Sequence, residues 1–197
     1  KGTSYAYDAA GRLSSRTWAR TVNGQPLVTA YGYDSATGEM TSVDYSDATP
    51  DIAYAYDRLG LRKSVADAVG TRTFAYDAAF RVASETLPRV GGRVLTRRYS
   101  AVGRDIGFSI GTESDPDSDH AVTYGYDSYG RFSSVTTDTE VFEYGYLANS
   151  NQLASVSFPN DISVTNAYEA NRDYLTQKAN RHGATTMSQC AYQYDAV

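Results

Sequence analysis

Little in the sequence could staple or brace it. The 197 residues hold one cysteine, Cys190, so neither an internal disulfide nor a multi-cysteine zinc site can form. The two histidines, His120 and His182, have no ligand cluster near them in sequence, which argues against zinc. Long apolar runs are absent, and those present are too short for a helix to cross a bilayer. The opening residues lack the basic and apolar regions of a signal peptide, so none is expected within this stretch. No basic stripe exists either. Arg62–Lys63 and Arg97–Arg98 are the adjacent basic pairs, and 18 basic against 23 acidic residues leave a net charge of −5. That balance argues against nucleic-acid binding. No window keeps a 3.6-residue apolar period, so helix is expected to be scarce.

What the sequence has in excess is tyrosine: 18, against six phenylalanines and one tryptophan. The cause is a repeat. Close copies are Tyr5-Ala6-Tyr7-Asp8, Tyr31-Gly32-Tyr33-Asp34, Tyr54-Ala55-Tyr56-Asp57, Phe74-Ala75-Tyr76-Asp77, Tyr124-Gly125-Tyr126-Asp127 and Tyr192-Gln193-Tyr194-Asp195. Degraded copies are Arg98-Tyr99-Ser100, Tyr144-Gly145-Tyr146-Leu147 and Ala167-Tyr168-Glu169. The second aromatics fall at 7, 33, 56, 76, 99, 126, 146, 168 and 194, in steps of 20 to 27 residues. Fifteen of the 18 tyrosines belong to these copies; Tyr45, Tyr129 and Tyr174 do not.

Each copy has a second half. After the aspartate come a turn, a basic residue and an apolar one, as in Asp8-Ala9-Ala10-Gly11-Arg12-Leu13 and Asp127-Ser128-Tyr129-Gly130-Arg131-Phe132. Gly38 and Gly60 hold the glycine place in their copies, whereas Asp77-Ala78-Ala79-Phe80-Arg81 has lost it. A further apolar residue often follows three positions on, as in Met40/Val43, Phe132/Val135 and Leu153/Val156.

Tyrosines two apart, among Thr, Val, Ala and Gly, place both rings on one side of a strand. Aspartate then starts a turn by accepting backbone N–H groups two residues on. Glycine supplies a positive φ. The chain returns along Gly-Arg-Leu as a second strand, and the tyrosines meet cross-strand neighbours. Apolar residues three apart would straddle both faces of a flat strand, so a bulge or a bend is expected there. The expectation is an all-β fold of antiparallel β-hairpin repeats, roughly 18 strands in a continuous curved strip. Residues 1–197 are read as one array of about nine units. Neither end carries a polar capping unit, so the array is read as a fragment of a larger shell.

Tyr-x-Tyr-Asp followed by Gly-Arg-Leu at these intervals resembles the RHS/YD-repeat family, over essentially the whole chain. The family includes bacterial RHS polymorphic toxins, the B–C component of insecticidal toxin complexes, and teneurins. The resemblance implies a strip that spirals into a hollow shell, which in bacterial members encloses a C-terminal toxin or other polypeptide cargo. It implies a secreted or cell-surface protein whose partners are neighbouring repeats of the same parent chain and an enclosed polypeptide. A cell-surface adhesion or carbohydrate-binding array, with a glycan as partner, is the alternative. The Asp-Pro-x-Gly motif that closes such arrays is absent: Asp115-Pro116-Asp117 lacks the glycine and lies mid-array. No self-cleavage site is therefore assigned. No epidermal-growth-factor-like cysteine framework is present, which leans toward a bacterial member.

No catalytic residue, cofactor site or metal site is assigned, and the chain is read as a non-enzyme. No Gly-x-Ser-x-Gly elbow occurs. Asp115, Asp117 and Asp119 alternate as calcium ligands can, but His120 and Tyr126 stand where an EF-hand needs glycine and glutamate. The segment is read as a solvated acidic connection, and Cys190 as a strand residue. The repeat-defining residues are Tyr5, Tyr7, Asp8, Gly11, Arg12, Tyr31, Tyr33, Asp34, Gly38, Tyr54, Tyr56, Asp57, Gly60, Tyr76, Asp77, Arg81, Tyr124, Tyr126, Asp127, Gly130, Arg131, Tyr192, Tyr194 and Asp195. Their recurrence favours a structural role, fixing turns and linking units.

Overall fold

A computed structural model describes residues 2–195. These residues form seventeen strands assigned to one antiparallel sheet, and a single 3-10 turn at Pro88–Val90. The chain divides into two compact units: residues up to Thr96 with Gly111–Pro116, and Arg97–Ile110 with the residues from Asp117 onward.

In the first unit β1 (Ser4–Tyr7), β2 (Leu13–Val22), β3 (Gln25–Tyr33) and β4 (Met40–Tyr45) pair in chain order. They continue into β5 (Ile52–Tyr56), β6 (Arg62–Asp67), β7 (Gly70–Tyr76), β8 (Val82–Leu87) and the start of β9 (Arg93–Tyr99). In the second unit β10 (Asp105–Gly111, without its last residue) pairs with β11 (His120–Tyr126), which pairs with β12 (Phe132–Thr137). Then follow β13 (Glu140–Tyr146), β14 (Leu153–Ser157), β15 (Ile162–Tyr168), β16 (Leu175–His182) and β17 (Thr185–Ala191).

Of the bulge or bend expected from the apolar spacing, the structure shows a bulge. In seven hairpins the register slips by one residue just before the second aromatic, as between Gly32 and Tyr33. Tyr33 faces Met40 and Tyr31 faces Val43, with Thr41 left over. The same slip sets Tyr126 against Phe132 and Tyr124 against Val135. One extra residue thus turns an i, i+3 apolar pair onto a single face. The residues between the tyrosines lie on the other face and meet serines: Ala6 with Ser15, Gly32 with Ser42, Gly125 with Ser134 and Gly145 with Ser155. One face is therefore aromatic and aliphatic, the other small and hydroxylated.

Full burial is rare. Among the described residues Val43, Val65, Val122 and Ala179 are the buried apolar side chains, and most tyrosines are half-buried. Three of the four are branched residues with rings beside or across from them: Val43 faces Tyr31, Val65 faces Tyr54, and Val122 lies two residues before Tyr124.

Seventeen strands rather than eighteen are formed among the described residues, two from each of eight copies and β17 from the ninth. β17 ends at Ala191, so Tyr192-Gln193-Tyr194 is not regular strand, although the sequence makes it a close copy.

Candidate functional site

Each Asp-turn is built by the aspartate itself. Asp8 Oδ1 accepts the amides of Ala10 and Arg12, both at 2.9 Å, and Asp8 Oδ2 accepts Arg12 Nε at 2.7 Å. The Asp8 amide donates to the Arg12 carbonyl at 2.8 Å, and the Gly11 amide to the Asp8 carbonyl at 3.0 Å. Asp127 repeats the pattern with Tyr129, Arg131 and the Arg131 guanidinium at 2.9, 2.9 and 2.7 Å. Asp77 does so with Ala79 and Arg81. Asp57 binds the amides of Leu59 and Leu61, with leucine standing in the arginine place. Asp34 binds Ala36 and Thr37 in a turn one residue longer, where Glu39 replaces the arginine.

These bonds favour the ionised carboxylate. Asp8 is held below its ordinary 3.8 first by the Arg12 amide and then by its guanidinium. At Asp77 the Arg81 guanidinium leads, followed by its amide. At Asp34 the amides of Thr37 and Ala36 do the work. At Asp127 partial burial pulls upward most strongly, yet the Arg131 amide and guanidinium together outweigh it.

The glycine of the turn is left-handed, with φ of 78° at Gly11, 81° at Gly38, 77° at Gly60 and 80° at Gly130. Phe80 occupies that place at φ 61°, a conformation that costs a side-chain-bearing residue about 1–2 kcal/mol.

The arginine then reaches out of its own hairpin. The Arg12 guanidinium lies 4.5 Å from the ring centre of Tyr33, Arg131 lies 4.4 Å from Tyr146, and Arg104 lies 4.4 Å from Tyr126. Each of those tyrosines belongs to the next hairpin, and its hydroxyl reaches back. Tyr33 donates to the Leu13 carbonyl at 2.9 Å, Tyr126 to Asp105 at 2.7 Å and Tyr146 to Phe132 at 2.7 Å. Tyr76, Tyr168 and Tyr194 make the same bond, to Arg62, Leu153 and Leu175 at 2.8, 2.9 and 2.9 Å. Phenylalanine could fill the space but not make the bond, which accounts for tyrosine at these six positions. The aspartate orients the arginine, the arginine covers the ring, and the ring is tied to the backbone behind it.

Some repeat residues stand outside this link. Tyr5 and Tyr7 lie on β1 and are more than half exposed, at 53% and 63%. Tyr31, Tyr54 and Tyr124 pack against valines across the hairpin. Tyr56 faces Arg62. Tyr192 and Asp195 are exposed beyond β17. Arg104, which follows the degraded copy in Ala101-Val102-Gly103-Arg104, stands outside the repeat-defining set, and its turn begins with Ser100, whose hydroxyl accepts the Arg104 amide at 3.1 Å in place of a carboxylate.

The other candidates lie apart. Asp117 pairs with Arg98 in an exposed loop, while Asp115 and Asp119 are exposed. Among the described residues no three His, Cys, Asp or Glu side chains are grouped to hold a metal ion. His120 Nδ1 lies 2.8 Å from Asp138. His182 ends β16, and Cys190 is an exposed free thiol on β17. Among the described residues no helix is long and apolar enough to cross a membrane. A cleft of about 310 Å³ lined by Trp18, Leu27 and Tyr45, among others, was not visible in the sequence.

Comparison with known families decides what the repeats are. The family model Teneurin YD-shell matches residues 108–197, and the RHS Repeat model matches residues 56–89. Over those two stretches the chain is similar to RHS/YD-repeat proteins. No curated protein sequence matches it. Solved structures do: the crystal structure of TcdB2-TccC3 covers 98% of the YD array at 14% identity and a TM-score of 0.74. TcdB2-TccC3-TEV matches over the same share and identity with a TM-score of 0.73, and TcdB2-TccC3-Cdc42 with 0.55. At that identity the likeness is one of fold. The array spans 11% of the TcdB2-TccC3 and TcdB2-TccC3-TEV chains and 12% of the TcdB2-TccC3-Cdc42 chain. Family and fold together support a structural shell role for these repeats.

Proposed function

We propose that this YD array is a section of the wall of a hollow shell that encloses a polypeptide, a C-terminal toxin or other cargo of its parent chain. The observation that carries the reading is the Asp–Arg–Tyr link. The same chemistry joins one hairpin to the next at Asp8–Arg12–Tyr33 and Asp127–Arg131–Tyr146, as a wall requires and a single active site does not. The repeat-defining tyrosines, aspartates, glycines and arginines are then structural, and the array contains rather than catalyses. The match to the YD-shell model and the fold shared with TcdB2-TccC3 support this reading.

On this reading residues 1–197 are one piece of a longer array, a piece of about nine units. Their partners are neighbouring repeats of the parent chain and the enclosed polypeptide. The parent is a bacterial protein that is secreted or displayed at the cell surface. The test is mass spectrometry of the parent protein, native and then denatured. One native particle that separates into two or more chains, one of them a retained C-terminal piece, is the expected result. A single unbroken chain with nothing held would overturn enclosure and favour an adhesive or glycan-binding array.

A further inference from the structure

β2 carries an irregularity that the repeat does not call for. Thr17 pairs with Val28 and Thr21 with Pro26, so Trp18, Ala19 and Arg20 together oppose Leu27. The two extra residues bend β2 away from β3. The cleft of about 310 Å³ lies at this bend, lined by Trp18, Leu27, Val28 and Tyr45, with Arg20, Asp47 and Thr49 also on its lining. It continues the tyrosine-bearing face: Tyr5 faces Arg16, Arg16 faces Thr29, and Thr29 faces Tyr45.

The cleft is held in shape. The Val28 amide donates to Ser46 Oγ at 2.7 Å, and the Ser46 amide donates to the Val28 carbonyl at 2.9 Å, pinning the loop after β4 to β3. The Arg16 guanidinium lies 3.5 Å from the centre of the Trp18 ring. Trp18 Nε1 donates to the buried Thr29 hydroxyl at 3.0 Å. The indole N–H is thus already used, and what Trp18 offers a ligand is apolar ring surface, 38% of the residue being exposed.

Those features select a ligand class. Trp18, Leu27, Val28 and Tyr45 present an apolar lining. Arg20 supplies donors, and Asp47, whose Oδ1 already accepts the Thr49 amide at 3.0 Å, adds the remaining acceptor capacity of a carboxylate, the complement of one peptide unit's C=O and N–H. A pyranose would need several polar partners around its ring, and here the indole N–H is spent on Thr29 while the Thr29 and Ser46 hydroxyls already accept the Trp18 and Val28 N–H groups, leaving each little beyond its own O–H to offer. The volume is at the small end of ligand pockets, suited to one large side chain with its flanking amide.

We propose that this cleft binds an aromatic or large aliphatic side chain of a polypeptide lying along the tyrosine face, with Arg20 and Asp47 meeting the adjoining amide. The proposal rests on the shell reading, whose enclosed polypeptide supplies the ligand.

Trp18 is the chain's one tryptophan, so its emission reports on the cleft directly. The protein is titrated with N-acetyl-L-phenylalaninamide and N-acetyl-L-leucinamide, with methyl β-D-glucopyranoside as the contrasting probe. The expected result is a saturable blue shift with either amide, at a roughly millimolar midpoint for so small a ligand, and none with the glucoside. Thr49→Phe fills the cleft from an exposed loop and should weaken binding at least tenfold with an unchanged circular dichroism spectrum. Leu27→Asp should do the same from its floor. Saturation by the glucoside alone, or Thr49→Phe binding that matches the parent sequence, would overturn the proposal. Mass spectrometry of the parent separates the two ideas. A retained chain without any Trp18 response removes the cleft site and leaves the shell. A Trp18 response without a retained chain removes enclosure and leaves a peptide-binding site.

Discussion

Tyr146→Phe isolates the bond that ties one hairpin to the next. The Tyr146 hydroxyl donates to the Phe132 carbonyl at 2.7 Å, and the Arg131 guanidinium lies 4.4 Å from the ring centre. Removing the hydroxyl leaves the ring, so stacking with Arg131 survives and only the hydrogen bond is lost. A net bond of this kind contributes about 0.5–1.5 kcal/mol, and the half-buried carbonyl keeps partial access to water. The expected cost is about 1 kcal/mol, or about 2–4 °C in Tm for a chain of this size. Tyr146→Leu removes the ring as well and should cost roughly 0.5–1 kcal/mol more through lost cation–π attraction. Tyr129→Phe is the control, because Tyr129 is 76% exposed and belongs to no inter-hairpin link; it should stay within about 0.5 kcal/mol of the parent sequence. Urea denaturation followed by circular dichroism, with all variants at one pH, makes the comparison. If Tyr146→Phe were as stable as Tyr129→Phe, the hydroxyl would not be what requires tyrosine at this position.

Phe80→Gly should stabilise the protein by about 1 kcal/mol, because glycine accepts the left-handed φ of 61° at that turn; an unchanged or lower thermal midpoint would count against strain there. Gly107→Ala should cost more than about 3 kcal/mol or prevent folding of β10 against β11, since an added Cβ would lie 2.0 Å from the Val122 carbonyl oxygen; near-normal stability on thermal melting would refute that close approach. The turn aspartates predict a pH dependence. Asp8, Asp34, Asp77 and Asp127 lie below their ordinary value of 3.8 when folded, so below it the unfolded chain binds more protons. Their contribution is complete above that value and is lost as pH falls through the folded ones. The urea midpoint should stay level down to about pH 5, decline below about pH 4, and decline less in Asp127→Asn; equal acid sensitivity in that variant would exclude Asp127 from the effect.

The elements that depend on neighbours in sequence were legible in advance. Tyr-x-Tyr-Asp announces a strand and its turn because ring spacing and the aspartate's own hydrogen bonds are local. An irregularity after the turn could be read as well, because Met40 and Val43 are three apart, but that it is a bulge with Thr41 out of register is known only from the strand pairing. The links between hairpins were not legible. The Tyr146 hydroxyl meets a carbonyl fourteen residues back, and nothing in the spacing says that the arginine of one turn lies on the tyrosine of the next. The sequence also implied that Tyr192-Gln193-Tyr194 would be strand. Tyr194 makes its bond to Leu175 without belonging to the ladder, which separates docking of the ring from strand formation. Trp18 escaped notice because its cleft depends on a register slip in β2 that follows no repeat rule.

Electron cryo-microscopy of the whole parent protein tests the central claim most directly. A closed particle with a β-strand wall that includes residues 1–197, and polypeptide density within its lumen, is the predicted result. An extended strip or a filled solid with no lumen would contradict it.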